Sequence, residues 1–311
     1  MSTLILHNYP MSPFSEKTRA MLGVAGLSWR SAPTREMPPR PVLAALAGGY
    51  RKVPVLQMGA DVYADTRLIA EVLDGLTSSP PLTARRGHFD DVIAHWVDNV
   101  LFGKAVGYTF GALADVLPEA LLADRAALRG APLDRAALKQ ALPTITQELT
   151  GLMGWLGTAL GGTSPFVNGS TPGNGDFTLY ATLWFMQNGG FDFSHCPAAQ
   201  AWMGRMAAFG HGERQEISAE EALIEAAAAL PEVLRKRVGN DRHVAEVRLL
   251  GRPLRDQRVR QALSVAINRK ALADRVLQGT VTEANQWMPA NTFGYNPEVK
   301  DIPNDPARAK A

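Results

Sequence analysis

A short segment rich in serine and proline, residues 76–81, separates two stretches that differ in hydrophobic patterning. Before it, short alternating runs typical of β-strands and runs with a helical period follow one another in the order β-α-β-α-β-β-α. After it, to about residue 229, apolar residues recur at helical spacing and no strand alternation is found. The chain therefore predicts an α/β domain, residues 1–78, followed by an all-helical domain, residues 83–229.

Local signals place the individual elements. A strand at Leu4–Leu6 leads into a helix that begins at Pro13 and is ended by Gly26. Gly59-Ala60 separates two apolar runs and predicts a hairpin. A second strand is expected at residues 27–31, and the remaining predicted helices are 42–47, 66–73, 88–117, 134–160, 177–188, 198–209 and 219–229.

Composition excludes several classes of protein. Of the 311 residues, 46% are hydrophobic and 20% are charged, as in ordinary globular proteins. No run of about 18 uncharged apolar residues is present, so no membrane span is expected. The N-terminus lacks a basic region followed by a long apolar core, which predicts a cytoplasmic protein. The only cysteine, Cys196, excludes an intrachain disulfide, a CxxC pair and a thiolate zinc cluster, and we interpret it as structural.

Charge and histidine spacing indicate neither nucleic acid nor metal. Residues 230–311 carry 15 Lys/Arg against 9 Asp/Glu, and the rest of the chain carries 17 against 21. Because the basic residues are spread out, we expect no nucleic-acid partner. His88, Asp91 and His95 share a helix face, but no fourth ligand is indicated. We therefore expect an ordinary helix face and no metal.

The junction at Ser12-Pro13 is the most informative motif. A serine followed by proline between a strand and a helix is the pattern of an N-cap and the first helical position. A helix N-terminus presents free N–H groups and partial positive charge, which favour an anion such as a thiolate. Ser12 could donate a hydrogen bond to a bound thiolate, or it could simply cap the helix. No His/Asp arrangement is visible that would activate it as a triad nucleophile.

Two further segments carry recognisable chemistry. If the bond before Pro54 is cis, the Val53 backbone turns outward and can pair with an extended peptide ligand. Asp65-Thr66 begins a helix. A carboxylate and a hydroxyl beside free N–H groups suit the α-amino-acid end of a ligand, although an ordinary Asp cap would look the same.

Together these segments resemble the glutathione transferase superfamily. The resemblance covers residues 1–229 and implies an α/β thioredoxin-like N-terminal domain that binds glutathione. It also implies an all-α C-terminal domain that forms most of the second-substrate pocket, and a homodimer. The matching segments are Ser12-Pro13-Phe14-Ser15 with Arg19, Lys52-Val53-Pro54-Val55-Leu56, and Asp65-Thr66-Arg67-Leu68-Ile69.

The resemblance also implies residue roles. Ser12 is similar to the catalytic serine of the serine-type classes, with Tyr9 as a weaker candidate for the thiol-activating hydroxyl. No cysteine stands in the place of Ser12, so disulfide and dehydroascorbate reduction are not expected. Glutathione is expected as a co-substrate, with no further cofactor. The glutathione-binding residues it implies are Phe14, Lys52, Val53, Pro54, Asp65 and Thr66.

The tail, residues 231–311, resembles a fragment of a different family. Segments 253–269 and 290–297 are similar to the extracellular peptide-binding proteins of ABC importers, family 5. That family is exported and binds its ligand between two lobes of a much longer chain, which some 80 residues cannot supply. We interpret residues 230–311 as an appended, partly helical segment, with a helix at 255–278, that is fused or mis-joined to the rest.

Three hypotheses follow. The first is a serine-type glutathione transferase acting on an apolar electrophile whose identity is left open. The second is a non-catalytic binding module of the same fold, which predicts no turnover. The third, argued from the tail alone, is a peptide-binding component of a transporter, which predicts binding of short peptides.

Overall fold

The computed structural model describes residues 3–77, 82–83, 89–167 and 169–229, together with Asp305 and the backbone of residues 246–248. The chain divides into two units, Met1–Leu249 and Leu250–Ala311. The helix predicted at 255–278 lies outside the described residues. So does His88 of the histidine pattern.

One mixed sheet holds all of the strands among the described residues. They are β1 (Leu4–Asn8), β2 (Ser28–Pro33), β3 (Val55–Met58), β4 (Asp61–Ala64), β5 (Glu213–Glu216) and β6 (Glu246–Arg248), in the order β5-β2-β1-β3-β4-β6. β1 pairs parallel with β2 and antiparallel with β3. β3 and β4 form the predicted hairpin.

Ten α-helices are found in the described residues. They are α1 (Pro13–Val24), α2 (Pro41–Leu46), α3 (Thr66–Asp74), α4 (Phe89–Trp96), α5 (Phe102–Ala112), α6 (Glu119–Arg129), α7 (Arg135–Leu160), α8 (Asn174–Asn188), α9 (Pro197–Ala207) and α10 (Ala219–Ala228). A π-helical turn, Val97–Leu101, joins α4 to α5.

The two faces of the sheet are covered by different helices. Met21 of α1 and Ile69 of α3 pack against Leu56 of β3, in a core that continues into the helices of the second domain. On the other face, Leu43 of α2 and Ala226 of α10 share a separate cluster. This architecture confirms the predicted fold class, a thioredoxin-like α/β domain joined to a helical domain.

The helix predicted at 88–117 is wrong in its bounds, and one helix was missed. The predicted helix is two helices with a π-helical turn between them, and α5 ends at Ala112. A π turn keeps the chain helical, so the hydrophobic pattern shows no break there. The missed helix is α6, in which only Leu122 is buried.

The all-helical prediction for residues 83–229 needs one correction. Glu213–Glu216 forms β5, which pairs parallel with β2 at the edge of the sheet. All four residues of β5 are exposed and polar, so no alternation marks the strand in the sequence. β5 therefore extends the sheet, and α10, which follows it, packs against the same face as α2.

A buried polar network ties α10 to the centre of the sheet. His7 Nε2 donates to Gln57 Oε1 at 2.8 Å, and Gln57 Nε2 donates to the Ala222 carbonyl at 2.8 Å. His7 and Gln57 are fully buried. Burial lowers the pKa of His7, against a smaller opposing effect of its bond to Gln57. The network therefore holds a neutral histidine.

We expect this histidine to make stability depend on pH. In the unfolded chain His7 takes up a proton near pH 6.5, whereas in the folded protein it does so only at lower pH. The unfolded state then binds more protons, so the free energy of unfolding should fall as pH drops below about 6.5, by up to about 1.4 kcal/mol per pH unit. Urea unfolding between pH 7.5 and 5.5 measures this slope.

His7→Gln should flatten that slope, and His95→Gln, which changes an exposed histidine, should leave it intact. An unchanged slope in His7→Gln would assign the pH dependence to other groups.

Candidate functional site

Three predicted segments meet at one edge of the sheet. β1 ends at Asn8, β3 begins directly after Val53-Pro54, and β4 ends directly before Asp65-Thr66. β3 is antiparallel to both β1 and β4, so the end of β1, the start of β3 and the end of β4 lie side by side. The sheet therefore brings together the loop before α1, the Val53-Pro54 segment and the start of α3.

Ser12 is the N-cap of α1. Its backbone is extended, with φ −76° and ψ 117°, and its Oγ accepts a hydrogen bond from the Ser15 N–H at 3.1 Å. This bond uses the hydroxyl as an acceptor and leaves its proton available to a second partner. Ser12 is only 1% exposed, and in this structure its hydroxyl serves as a helix cap.

The loop between β1 and α1 is fixed by the buried Arg19. The guanidinium donates to Asn8 Oδ1 at 3.0 Å and to the Pro10 carbonyl at 2.9 Å. It also donates to Glu16 Oε2 through Nη2 at 2.8 Å. Because Arg19 bonds both ends of the turn that precedes Ser12, it holds the start of α1 against the end of β1.

Glu16 completes this buried network. Its Oε1 accepts from His211 Nε2 at 3.0 Å and from the Tyr180 hydroxyl at 3.5 Å. Burial alone would raise the pKa of Glu16, but the bonds and charges of His211 and Arg19 outweigh it, so the pKa is lowered. Burial and the neighbouring Glu16 raise the pKa of Tyr180 to about 12. The network joins α1 to α8 and to the segment before β5.

The segment before β3 contains the proline whose peptide bond could not be assigned as cis or trans from the sequence. The Val53–Pro54 peptide bond is cis. Among the described residues, no backbone hydrogen bond involves Val53, a residue that is 9% exposed. Lys52 beside it is exposed and has no hydrogen bond or ion pair with any described residue.

The start of α3 is conformationally unusual. Asp65 caps the helix by accepting from the Arg67 N–H at 2.7 Å, and its φ is +83°. A positive φ is rare for residues other than glycine, and such strained residues cluster at functional sites. Asp65 is exposed and Thr66 is partly exposed, so both side chains can reach a ligand.

Sequence analysis did not predict a role for Lys17. This residue is 3% exposed and its ammonium has no hydrogen-bonding partner among the described residues. Burial lowers the pKa of Lys17, while the negative charges of Asp98 and Asp65 oppose this effect. Lys17 lies four residues before the buried Met21, and a charged residue on the apolar side of a helix is the signal that could have identified it.

An aromatic wall faces α1 from the second domain. The Phe14 ring lies 4.9 Å from the Phe102 ring, measured between centroids, and Phe102 lies 6.4 Å from Phe185. Phe14 is 36% exposed, so this wall borders open space beside the start of α1.

The other singled-out residues have structural partners. Asp91 accepts from Arg67 Nε at 2.9 Å, and the His95 backbone carbonyl accepts from the Asn99 amide. Cys196 is buried and donates to the Met153 carbonyl. The described part of the chain contains no group of three His, Cys, Asp or Glu side chains suited to a metal. None of the described helices combines the length and apolar character needed to cross a bilayer.

Comparison with known proteins divides the chain. Residues 204–311 match the model of bacterial extracellular solute-binding proteins, family 5. The dipeptide-binding protein of Escherichia coli is 43% identical over 60 residues, and heme-binding protein A of Haemophilus influenzae is 41% identical over 58 residues. Each stretch covers 19% of this chain and 11% of the curated relative. The resemblance of the tail to a fragment of that family is confirmed, although the match begins within α9.

The rest of the chain matches glutathione transferases. Residues 6–81 match the glutathione S-transferase N-terminal domain. FzlA from C. crescentus is 24% identical with a TM-score of 0.50, over 66% of this chain and 88% of that one. A rice transferase, OsGSTU1, solved in complex with glutathione, is 19% identical with a TM-score of 0.50, over 73% of this chain and 95% of that one. These two similarities concern the fold.

A GST-like protein from Pseudomonas syringae is more similar in sequence. It is 34% identical with a TM-score of 0.62, over 78% of this chain and 80% of that one. Because this identity extends over most of both chains, the two proteins are similar in sequence as well as in fold. With the meeting of the three segments at the sheet edge, it shows that the chain belongs to the glutathione transferase superfamily.

Proposed function

We propose that this protein is a serine-type glutathione transferase that conjugates glutathione to an apolar electrophile. The observation that carries the proposal is the convergence of Ser12, Val53-Pro54 and Asp65-Thr66 at one edge of the sheet. Each segment offers one of the contacts that a γ-glutamyl tripeptide with a thiol requires.

The glutathione backbone spans these contacts. The γ-glutamyl ammonium binds the Asp65 carboxylate, and its carboxylate binds the Thr66 hydroxyl and the free N–H groups of α3. The unpaired backbone of Val53 bonds the cysteine residue of glutathione, with Pro54, Lys52 and Phe14 beside it. Glutathione acts as a co-substrate, and the proposal requires no other cofactor.

The chemical step is a nucleophilic substitution or addition. The thiol proton passes to solvent, and the Ser12 O–H and the positive N-terminus of α1 stabilise the thiolate. The thiolate attacks the electrophilic carbon and a C–S bond forms. In a substitution the leaving group departs with its bonding electrons, and in an addition the adjacent carbon takes up a proton from solvent. Lowering the thiol pKa raises the population of the nucleophile at working pH.

We further propose that the protein acts in the cytoplasm and that it forms a homodimer. Reduced glutathione maintains the reducing cytoplasm, which is where this activity fits. A homodimer is supported by exposed apolar residues on neighbouring helices, since Trp155 of α7 is 75% exposed and Val100 of the π turn is 42% exposed.

Calorimetric titration of the full chain with reduced glutathione tests the site. We expect saturable binding, and the pair of changes Asp65→Asn and Thr66→Ala should weaken it at least about tenfold because charge-assisted bonds are lost. Asparagine preserves both the cap and the positive φ. The control is Asp134→Asn, because Asp134 caps α7 in the same way through the Ala137 N–H at 2.8 Å.

The outcomes separate the three hypotheses. Binding with turnover of a chlorodinitrobenzene supports the transferase. Binding without turnover of any electrophile favours the non-catalytic module. No glutathione binding by a folded protein would contradict the transferase and favour the non-catalytic module. Saturable binding of a dipeptide would support the peptide-binding hypothesis.

A further inference from the structure

A group of arginines from both domains lies beside the candidate site. Arg125 of α6 places Nη2 3.4 Å from the Tyr9 hydroxyl and 3.2 Å from the Glu36 carbonyl oxygen. Tyr9 lies three residues before Ser12, whose N–H bonds the Tyr9 carbonyl at 3.3 Å. A cationic side chain of the helical domain therefore borders the loop that carries Ser12.

Two more guanidinium groups belong to this arginine cluster, which we define as Arg40, Arg51 and Arg125. Arg40 Cζ lies 5.7 Å from the centre of the Tyr9 ring. Arg51 Nη2 lies 2.5 Å from Asp124 Oδ1, and Arg125 pairs with the same carboxylate.

The arginine cluster has more positive charge than its described neighbours neutralise. Asp124 is the one carboxylate paired with it among the described residues, and Glu36 contributes only backbone oxygen. Burial lowers the pKa of Arg40, the charges of Arg125 and Arg51 act in the same direction, and those of Tyr9 and Asp124 oppose it. Three guanidinium groups around one carboxylate leave an excess positive charge that an anionic ligand would relieve.

Packing of α6 links the arginine cluster to the aromatic wall. Leu122, one turn before Arg125 on α6, packs in the same cluster as Phe185. Phe185 leads through Phe102 to Phe14, two residues after Ser12. Tyr9, which contacts Arg125, and Phe14, which contacts Phe102, stand on either side of Ser12 in the chain. A ligand at this loop would therefore meet guanidinium groups on one side and aromatic surface on the other.

Resting on the proposed function, we infer that the second substrate is an apolar electrophile carrying an acidic group, and that Arg125 with Arg40 and Arg51 receives this group. A carboxylate or sulfonate suits the planar donors of arginine. The apolar body lies against Phe14 and Phe102. The reaction itself is unchanged: the C–S bond forms, the leaving group departs and the thiol proton goes to solvent.

The glycine carboxylate of glutathione could also bind these arginines. The experiment must therefore distinguish it from an acidic group on the second substrate. The full chain is assayed with a chlorodinitrobenzoate and with its methyl ester. Chloride is the leaving group of both compounds. We expect the unmodified protein to prefer the acid in kcat/KM. Arg125→Gln should reduce the ratio of acid to ester about tenfold, and Arg125→Lys should retain part of it.

Arg129→Gln is the matched control, because Arg129 is exposed on the same helix one turn further on, and it should leave the ratio unchanged. Arg51→Gln provides a second variant and should lower the ratio as well. An unchanged ratio in Arg125→Gln and Arg51→Gln would overturn the inference. The inference would also be overturned if the variants only raised the KM for glutathione. That result would assign the arginine cluster to the glycine carboxylate.

A binding measurement keeps this inference separate from the proposed function. Dinitrobenzoate lacking the chlorine cannot react, and its binding is titrated by calorimetry against that of its methyl ester. Arg125-dependent preference for the acid, in a protein that turns over neither electrophile, would support the anion site while contradicting the transferase. Equal affinity for acid and ester would overturn the anion site whether or not the protein conjugates glutathione.

Discussion

Replacing Ser12 with glycine is expected to lower kcat for glutathione conjugation about a hundredfold, the usual effect of removing one preorganised donor to a developing or bound anion. The KM for glutathione should change far less, because in the proposed complex Asp65, Thr66 and the Val53 backbone make the remaining contacts. Glycine is chosen because it costs a helix N-cap only a few tenths of a kcal/mol, whereas alanine costs about 1 kcal/mol. Steady-state kinetics with a chlorodinitrobenzene measure the effect.

Matched variants separate the two roles of the Ser12 hydroxyl. Ser218 caps α10 in the same way, accepting from the Glu221 N–H at 3.1 Å, so Ser218→Ala should lower stability without lowering kcat. Ser12→Ala should lower both. If Ser12→Gly keeps full activity and Tyr9→Phe loses it, Ser12 is only a cap and Tyr9 is the activating hydroxyl.

Replacing Arg19 with methionine is expected to reduce the free energy of unfolding by about 3–5 kcal/mol. The change leaves the Glu16 carboxylate buried without its closest cation, and removes the bonds to Asn8 and Pro10 that hold the loop. Activity should fall in parallel, because that loop positions Ser12. Urea unfolding followed by circular dichroism measures the loss.

Two comparisons test this explanation. Lys139→Met removes an exposed ion pair with Asp115 and should cost far less, because solvent screens that pair. Adding Glu16→Gln to Arg19→Met should recover part of the loss, because the unpaired buried charge is gone. A loss for Arg19→Met no larger than that for Lys139→Met would show that the buried pair contributes little.

Features that depend only on a few consecutive residues were predictable from the sequence. The hairpin at Gly59-Ala60 and the start of α1 at Ser12-Pro13 each depend on a few adjacent side chains and backbone groups. The same holds for the segments of the candidate site, because each is the end of one element and carries its own cap or proline. Their resemblance to one family could therefore be found without knowing how they meet.

Features that depend on distant partners were not predictable. β5 is a strand only because its exposed backbone pairs with β2, some 185 residues earlier. The pair of His211 with Glu16 spans 195 residues, and the contact of Arg125 with Tyr9 spans 116. Periodicity describes neighbours within one element, so it carries no information about such pairs.

The sequence by itself determined the order of elements in residues 1–78, the caps at Ser12 and Asp65 and the three candidate segments, because these depend on local backbone preferences and adjacent side chains. Tertiary structure alone decided that the three segments share one sheet edge and that the buried Lys17 ammonium has no hydrogen-bonding partner among the described residues. It also decided that Arg40 and Arg125, from two domains, lie beside Tyr9. Burial and charge at a site are sums over all surrounding groups, and those groups come together only when the chain folds.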